Sequence, residues 1–274
     1  MIRHLLQLIW NQRKQNAWLW AELLLVSVFL WFLVDYLYVM GRTYTAPLGF
    51  DIRHTYSIVI SSLSERSPDY IPKEKRERPD GVHLLTALDR IRTYPGVESA
   101  CLTDGGMPYY MGSRNLVWRI DTLQVPCRYA FVTPEFFDVF RIYDKEGETA
   151  SLKRAIEDNN SIVISADVET MNPGLSLLGQ KAYRGNVTDE IEETIRGISV
   201  PIRRHEYTKA EPNVYRALRL SRMEEGYYEG MIDAVRLCVR VRPDVDNADF
   251  PARFRKDMAE QLRLGNLYLL DVQP

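Results

Sequence analysis

The stretch AELLLVSVFLWFLVDYLYVMGRTYTAPLGFD, residues 21–51, decides the architecture because it contains most of an apolar run long enough to cross a membrane. The run extends from Ala17 to Met40. As a helix with a rise of about 1.5 Å per residue it measures roughly 36 Å, and a bilayer core is about 30 Å thick. The sequence therefore predicts one transmembrane helix, which we place at residues 17–41.

Two other interpretations of this segment are a cleaved signal peptide and a long core helix of a soluble protein. A signal peptide has an apolar core of about 7 to 15 residues and a small-x-small cleavage site. Here the run is longer, and the following YVMGRTYTAPLG has no such site. Aromatic side chains also cluster at both ends of the run, as they do at membrane interfaces: Trp18, Trp20, Tyr36, Tyr38 and Tyr44. An uncleaved anchor is the interpretation that these features favour.

Two carboxylates, Glu22 and Asp35, lie inside the predicted span. Only Leu23 to Val34 is free of charge, a length of about 18 Å as a helix, so the two side chains lie towards opposite ends of the hydrocarbon layer. At about 100° per residue they also point to different sides of the helix. Carboxylates within a span usually face protein rather than lipid, so Glu22 and Asp35 are candidate helix-contact residues.

The first sixteen residues, MIRHLLQLIWNQRKQN, carry a second apolar pattern at helical spacing. It predicts an amphipathic interfacial helix at residues 1–16, with a polar extension of the membrane helix as the alternative. Arg3, His4, Arg13 and Lys14 precede the span, and Arg42 follows it. This bias favours a cytoplasmic amino terminus and an exported body at residues 42–274.

The composition of the whole chain limits the possible partners. Its 274 residues carry 35 basic and 37 acidic side chains, a formal net charge of -2. This balance gives no basic footprint for nucleic acid, so we expect no nucleic-acid partner.

Both ends of the exported body show a β, α, β order, so the predicted fold class is α+β. At the amino-terminal end we predict a strand at His54–Leu63, a solvated loop and a helix with apolar positions at Val82, Leu85, Leu88 and Ile91, followed by a strand at Val97–Thr103.

At the carboxyl end AVRLCVRVR, residues 234–242, predicts a strand with one buried face, in which Val235, Leu237, Val239 and Val241 alternate with Arg236, Cys238, Arg240 and Arg242 on the other face. A helix with Phe250, Phe254, Met258 and Leu262 follows, and a strand closes the chain. Two such units, at residues 54–103 and 231–274, can pair into a ferredoxin-like sheet.

Residues 104–230 have the texture of a β-rich insert. The segments LVWRI, VPCRYAFV, SIVISAD and TIRGISVPIR predict strands, with short helices in TPEFFDVF and LSLLGQ. The glycine-rich DGGMPYYMG, residues 104–112, leads into no helix. We interpret it as a structural or partner-contact loop rather than a phosphate loop.

The sequence predicts no catalytic, cofactor or metal site. The four histidines lie far apart, and none has a cysteine or histidine at metal-ligand spacing. No serine lies in a G-x-S-x-G context, and no G-x-x-x-x-G-K-[ST] loop is present for ATP. Cys101, Cys127 and Cys238 leave one disulfide open as a possibility, with buried free thiols as the ordinary alternative.

A series of short motifs follows the span in a fixed order and spacing: YTAPLGFD, PGVESA, MPYY, VTPEFFDVF, SIVISAD and VRVRP. On these motifs, over essentially the whole chain, the sequence resembles the amino-terminal part of MacB/FtsX-like ABC transporter permeases. It implies a porter-like α/β part, a second β-rich subdomain and a location in the bacterial inner membrane with the main domain in the periplasm.

The resemblance also implies a function. Such permeases are not enzymes; they pair with a cytoplasmic ATP-binding subunit, usually act as homo- or heterodimers, and can engage a periplasmic partner. ATP-driven motion of their membrane helices moves the periplasmic domain for efflux or extraction of a substrate. Glu22 and Asp35 would then face other helices of the bundle.

One departure from the family leaves an alternative open. Family members carry three further membrane helices after the periplasmic domain, whereas this sequence has a single long apolar run. We therefore expect either the front portion of a permease or a reduced relative. The rival hypothesis is a single-pass sensor or docking protein without coupling to ATP.

Overall fold

The structure is a computed structural model that describes Arg3, Trp10 and residues 17–110, 112, 114–185, 190–228 and 232–274. The amphipathic helix predicted at residues 1–16 lies outside the described residues, apart from Arg3 and Trp10, and it stays a prediction. The chain divides into two compact units. One comprises Met1–Pro47 with Glu206–Thr208, and the other comprises Leu48–His205 with Lys209–Pro274.

The first unit is dominated by one long helix, α1 (Ala17–Thr45), of 29 residues. It begins where the apolar run begins and extends four residues beyond the predicted end at residue 41. None of its residues is buried. The helix is long and apolar enough to cross a membrane by length and composition.

The second unit alternates strands and short helices. Its first half contains β1 (Thr55–Ser62), α2 (Asp80–Arg92), β2 (Val97–Asp104), β3 (Asn115–Ile120), β4 (Leu123–Val132), α3 (Phe136–Val139), α4 (Ala150–Ala155) and β5 (Ser161–Ser165). Its second half contains α5 (Asp167–Met171), β6 (Lys181–Arg184), β7 (Ile191–Ser199), β8 (Asn213–Ala217), α6 (Leu220–Glu224), β9 (Arg236–Val241), α7 (Phe250–Met258) and β10 (Leu267–Gln273).

Four strands from the two ends of this unit lie side by side in the order β10-β1-β9-β2. Each neighbouring pair is antiparallel. Because β1 and β2 both run against β9, they are parallel to each other, and α2 is the crossover between them. The same holds for β9 and β10 with α7 as the crossover. One core cluster packs these strands against the two helices, with Leu84, Ile91, Phe250 and Phe254 among its fully buried members.

The middle strands close into a ring. Starting from β4, the order is β3, β6, β7, β5 and β8, and β8 pairs back onto β4. The β4–β8 and β5–β7 pairs are parallel, and the other four are antiparallel. Closure leaves these six strands without a free edge. The ring joins the four-stranded part through β2 and β4, where Thr103 pairs with Val132 and Asp104 with Phe131.

A separate apolar cluster fills the ring. Trp118, Ile120, Ile162, Ile164 and Ile195 are fully buried in it. Trp118 and Ile120 alternate with half-exposed or exposed neighbours along β3, which is the period-2 pattern of a strand with one inward face. All five residues of β5 are buried, because α4 packs on its outer face, where Leu152, Ala155 and Val163 belong to one core cluster.

Several predictions about individual elements were wrong. The inner face of α2 consists of Leu84, Ala87, Leu88 and Ile91, whereas Val82 and Leu85 are only half-buried. LSLLGQ, residues 175–180, forms no helix. The helix after β5 begins earlier, at Asp167, inside the predicted strand SIVISAD.

The prediction that β9 has only one buried face was also wrong. Cys238 and Arg240, assigned to the outer face, are both 1% exposed. The strand lies in the interior of the sheet between β1 and β2. Its residues belong to two different core clusters, so other parts of the chain pack on both of its faces.

Candidate functional site

The two predicted site residues, Glu22 and Asp35, lie on α1, and both are exposed. Thirteen positions apart on one helix, they are separated by about 20 Å along the axis and about 140° around it. They therefore belong to two separate surfaces of the helix rather than to one site. Within the described residues neither forms an ion pair or a side-chain hydrogen bond.

The aromatic residues predicted to mark the ends of the span are exposed along α1. Trp18 and Trp20 near its start are 64% and 56% exposed, and Tyr36, Tyr38 and Tyr44 near its end are 52%, 65% and 56% exposed. Within the described residues this helix buries none of its side chains, so its apolar surface suits lipid or the helices of another protein.

A cleft of about 590 Å³ lies in the second unit, over β1 and β9. Its walls are mostly apolar and aromatic, and one side is formed by the predicted glycine-rich loop. The lining residues include Tyr56, Met107, Tyr109, Tyr110, Phe140 and Cys238. Arg236 contributes the one cationic side chain among the lining residues.

Glycine at position 106 allows the loop to lie against the sheet. Gly106 has a φ of +74°, and a Cβ added to it would lie 2.5 Å from the Cβ of Ala130. No larger residue fits there without displacing β4. The loop continues through Tyr109, whose ring meets that of Phe50 edge to face at 5.9 Å. The glycine-rich segment is therefore part of the wall of the cleft.

A polar cluster anchors one end of the cleft. The Asp246 carboxylate accepts a hydrogen bond from the Tyr56 hydroxyl, and its other oxygen contacts Nδ1 of His54. Burial and the bond to Asp246 raise the pKa of Tyr56 to about 12. Burial alone would raise the pKa of Asp246, but its bonds to Tyr56 and His54 hold it below the ordinary value. The three groups therefore form one hydrogen-bonded cluster centred on the Asp246 carboxylate.

Arg240 is a buried cation, although the alternating pattern of β9 predicts it on the outer face of the strand. Its guanidinium donates to three backbone carbonyls: Nε to Val139 at 2.7 Å, Nη1 to Arg53 at 2.7 Å, and Nη2 to Asp51. The three acceptors come from α3 and from the segment that enters β1. Arg240 therefore ties the entry of the chain into the sheet to the middle of β9.

The cysteines are free and buried. Cys101 and Cys238 lie opposite each other on β2 and β9. Burial and the neighbouring Cys238 raise the pKa of the Cys101 thiol well above its usual range, and burial raises that of Cys127 to about 12. Within the described residues no group of three or more His, Cys, Asp or Glu could hold a metal ion.

Comparisons with known proteins give solved structures only; no protein-family model and no curated protein matches the chain. A domain of a protein described as a permease, from Porphyromonas gingivalis, is 19% identical with a TM-score of 0.46, over 69% of this chain and 76% of that one. The periplasmic region of MacB from Actinobacillus actinomycetemcomitans is 10% identical with a TM-score of 0.45, over 84% and 94%.

A third similar structure is the extracellular domain of the noncanonic ABC-type transporter YknZ from Gram-positive bacteria. It is 11% identical with a TM-score of 0.46, over 78% of this chain and 100% of that one. These three solved structures are thus domains of a permease, of MacB and of an ABC-type transporter.

Proposed function

We propose that this chain is the front portion of an ABC transporter permease subunit. The observation that carries the proposal is α1: a 29-residue apolar helix, with no buried residue, that bears two carboxylates. Carboxylates in a span are costly against lipid and favourable against protein. A helix with Glu22 and Asp35 on different sides therefore suits a bundle in which it has neighbours on both sides.

The proposed location is the bacterial inner membrane, with residues 1–16 on the cytoplasmic side and residues 42–274 in the periplasm. The support is the larger number of basic residues before the span than directly after it.

The proposed division of the periplasmic domain follows the sheet. The strands β10-β1-β9-β2, with crossovers α2 and α7, correspond to the porter-like, ferredoxin-like part predicted at residues 54–103 and 231–274. The six-stranded ring corresponds to the β-rich insert predicted at residues 104–230. One difference in detail is that Leu218, Met223 and Tyr228 pack in the core of the four-stranded part.

In this proposal the chain has no enzymatic activity of its own. A cytoplasmic ATP-binding subunit hydrolyses ATP, a second permease chain completes a homo- or heterodimer, and motion of the helices moves the periplasmic domain to expel or extract a substrate. Glu22 and Asp35 contribute the helix contacts that transmit this motion.

The test is purification of the full chain from its native membrane in a mild detergent. We expect a protein containing G-x-x-x-x-G-K-[ST] to co-purify, together with ATP hydrolysis, and Glu22→Leu/Asp35→Leu to lower both at unchanged expression. Val28→Leu on the same helix is the control, because it alters packing without removing charge. Co-purified ATPase activity that is equal in all three proteins would argue against helix contacts through the carboxylates.

A second candidate function is a single-pass sensor or docking protein, and the cleft over β1 and β9 favours it. A mostly apolar cleft of about 590 Å³ has the size and chemistry of a small-ligand site. This hypothesis predicts that no ATPase co-purifies and that the double leucine variant keeps its function.

A further inference from the structure

A second cleft, of about 460 Å³, lies where the ring meets the four-stranded part. We call it the arginine cleft. Its lining includes five arginines from different parts of the fold, with aromatic side chains between them: Arg114, Arg184, Arg216, Arg219, Arg222, Phe131, Tyr227 and Tyr228. Cations gathered from separate elements onto one concave surface concentrate a positive potential.

Two carboxylates neutralise part of this charge. Asp104 Oδ2 lies 2.7 Å from Nη1 of Arg114. Glu193, 2% exposed, receives Nε of Arg216 at 2.7 Å and lies 3.4 Å from Nε of Arg184. Among the described residues, five guanidinium groups thus face two carboxylates, which leaves three more positive than negative charges.

The excess positive charge lies on the open side of the cleft. Arg222 is exposed and Arg219 half-buried, and within the described residues neither has a carboxylate partner. Arg222 lies over the ring of Tyr227 at 5.2 Å, which holds its guanidinium near the rim. Deeper in the cleft, Nε of Arg184 is buried and faces the Glu193 carboxylate at 3.4 Å. The guanidinium groups that have no carboxylate partner among the described residues therefore lie at the rim.

The arginines also repel one another. Burial, followed by the charges of Arg184 and Arg219, lowers the pKa of Arg216, against the opposing attraction of Glu193. Arg216 is in addition stacked over the ring of Phe131 at 4.9 Å. Groups held in place despite like-charge repulsion gain free energy when an anion enters between them.

From this geometry we propose that the arginine cleft binds a phosphate-bearing ligand. A phosphate group offers several oxygens and up to two negative charges, which matches planar guanidinium donors better than a single carboxylate does. The aromatic rings of Tyr227 and Phe131 provide apolar walls for the part of the ligand that carries the phosphate. The source is either a soluble phosphate compound or the headgroup of an anionic lipid.

The test uses the full chain in an uncharged detergent and titrates it with sodium pyrophosphate by calorimetry, at low and at moderate salt. A second titration uses detergent micelles doped with phosphatidylglycerol, and micelles with phosphatidylcholine serve as the reference. The variant is Arg219→Gln/Arg222→Gln. Its matched control is Arg66→Gln/Arg255→Gln, two exposed arginines outside the cleft whose removal changes net charge by the same amount.

We expect wild type and control to bind a phosphate probe and the cleft variant to bind it about tenfold or more weakly, since one charge-assisted hydrogen bond corresponds to roughly that factor. Pyrophosphate binding supports a soluble ligand, and binding of phosphatidylglycerol alone supports a lipid headgroup. The proposal is overturned if neither probe binds, if the control loses as much affinity as the variant, or if hexaglutamate binds more tightly than pyrophosphate through the same arginines.

Discussion

Arg240 is a charged side chain in the middle of a sheet, and the fold depends on it through backbone carbonyls rather than through a carboxylate. Its nitrogens are bonded to Val139, Arg53 and Asp51, so burial leaves none of these acceptors unpaired. A buried cation with its donors satisfied stabilises a structure, but removing it strands its acceptors away from water.

We expect Arg240→Met to lower the free energy of unfolding by about 3 kcal/mol, since it leaves buried carbonyls without donors. Arg242→Met, two residues further along the chain and just beyond the end of β9, is the matched control. Arg242 and its partner Asp244 are 58% and 67% exposed, so a loss of under about 0.5 kcal/mol is expected. Denaturant unfolding of the full chain in detergent measures both, and equal losses would contradict the role given to Arg240.

Asp246 gives a prediction for pH. Its folded pKa lies below the ordinary value, so the stability it contributes is present above the unfolded pKa of about 3.9 and is lost as the pH falls through the lower folded pKa. Asp246→Asn should therefore cost about 1 to 2 kcal/mol at pH 7 and almost nothing near pH 2. Unfolding curves of both proteins across this range test the sign. A difference that is independent of pH would exclude the linkage.

The sequence predicted part of these residue roles. The i, i+4 spacing of Phe250, Phe254 and Met258 predicted a buried stripe, and all three are buried. The burial of Arg240 was not predicted, because the alternating sequence pattern of a strand is the same whether its outer face meets solvent or a second layer of the fold. Only the tertiary packing of α3 onto β9 decides that, and local periodicity carries no information about it.

At the scale of elements, the glycine-rich loop forms the wall of the apolar cleft through one close approach. Gly106 and Gly147 both have positive φ, +74° and +88°, but only Gly106 lies against another side chain. Comparing alanine substitutions at the two glycines therefore separates the free-energy cost of the left-handed backbone from that of the steric contact with Ala130.

We expect Gly147→Ala to cost about 1 kcal/mol, the price of a left-handed conformation for a residue with a Cβ. Gly106→Ala should cost about 1 to 3 kcal/mol more, because its Cβ would meet Ala130 at 2.5 Å. Denaturant unfolding of the two variants gives the comparison. Similar losses in both would mean that the loop moves away from β4 at little cost.

Closure of the ring is the element-level feature that the sequence did not predict. Individual strands such as Asn115–Ile120 and Leu123–Val132 are visible as alternating segments joined by a short turn. The parallel pairs β4–β8 and β5–β7 join segments far apart in the chain. Pairing over such distances depends on loop closure and packing, and no local motif encodes it.

At the scale of the whole molecule, the proposed topology places residues 42–274 outside the cytoplasm. We expect a cysteine introduced at Ser64, an exposed position, to react with a membrane-impermeant maleimide in intact cells. A cysteine introduced at Gln15 should react only after permeabilisation. The opposite labelling pattern would indicate the reverse orientation, and labelling of both positions in intact cells would contradict a single membrane span.

The native cysteines provide the background for this experiment. All three are buried, and the raised pKa values of Cys101 and Cys127 keep these two thiols protonated at neutral pH. Thiols without exposed thiolate react slowly. The unsubstituted chain should therefore label only after denaturation, which makes it the control for both introduced positions.

At this scale the sequence pointed to some of the candidate residues and not to others. Glu22 and Asp35 stand out in the sequence because a carboxylate in an apolar run is rare. The arginines of the second cleft do not stand out, because they come from β6, β8, α6, the residue just before α6 and the loop before β3, between positions 114 and 222. Residues that come together only in the folded structure have no regular spacing in the sequence by which they could be recognised.

The clamp of Arg240 has a mechanical consequence. The chain that leaves α1 enters the sheet at β1, between β9 and β10, and Arg240 holds the carbonyls of Asp51 and Arg53 just before that strand. Tension applied through the helix therefore reaches the guanidinium bonds before it reaches the ladder of β1. Beyond these bonds β1 is paired with strands on both of its sides, β9 and β10, so in the proposed membrane topology tension on α1 would be shared by three strands rather than borne by one.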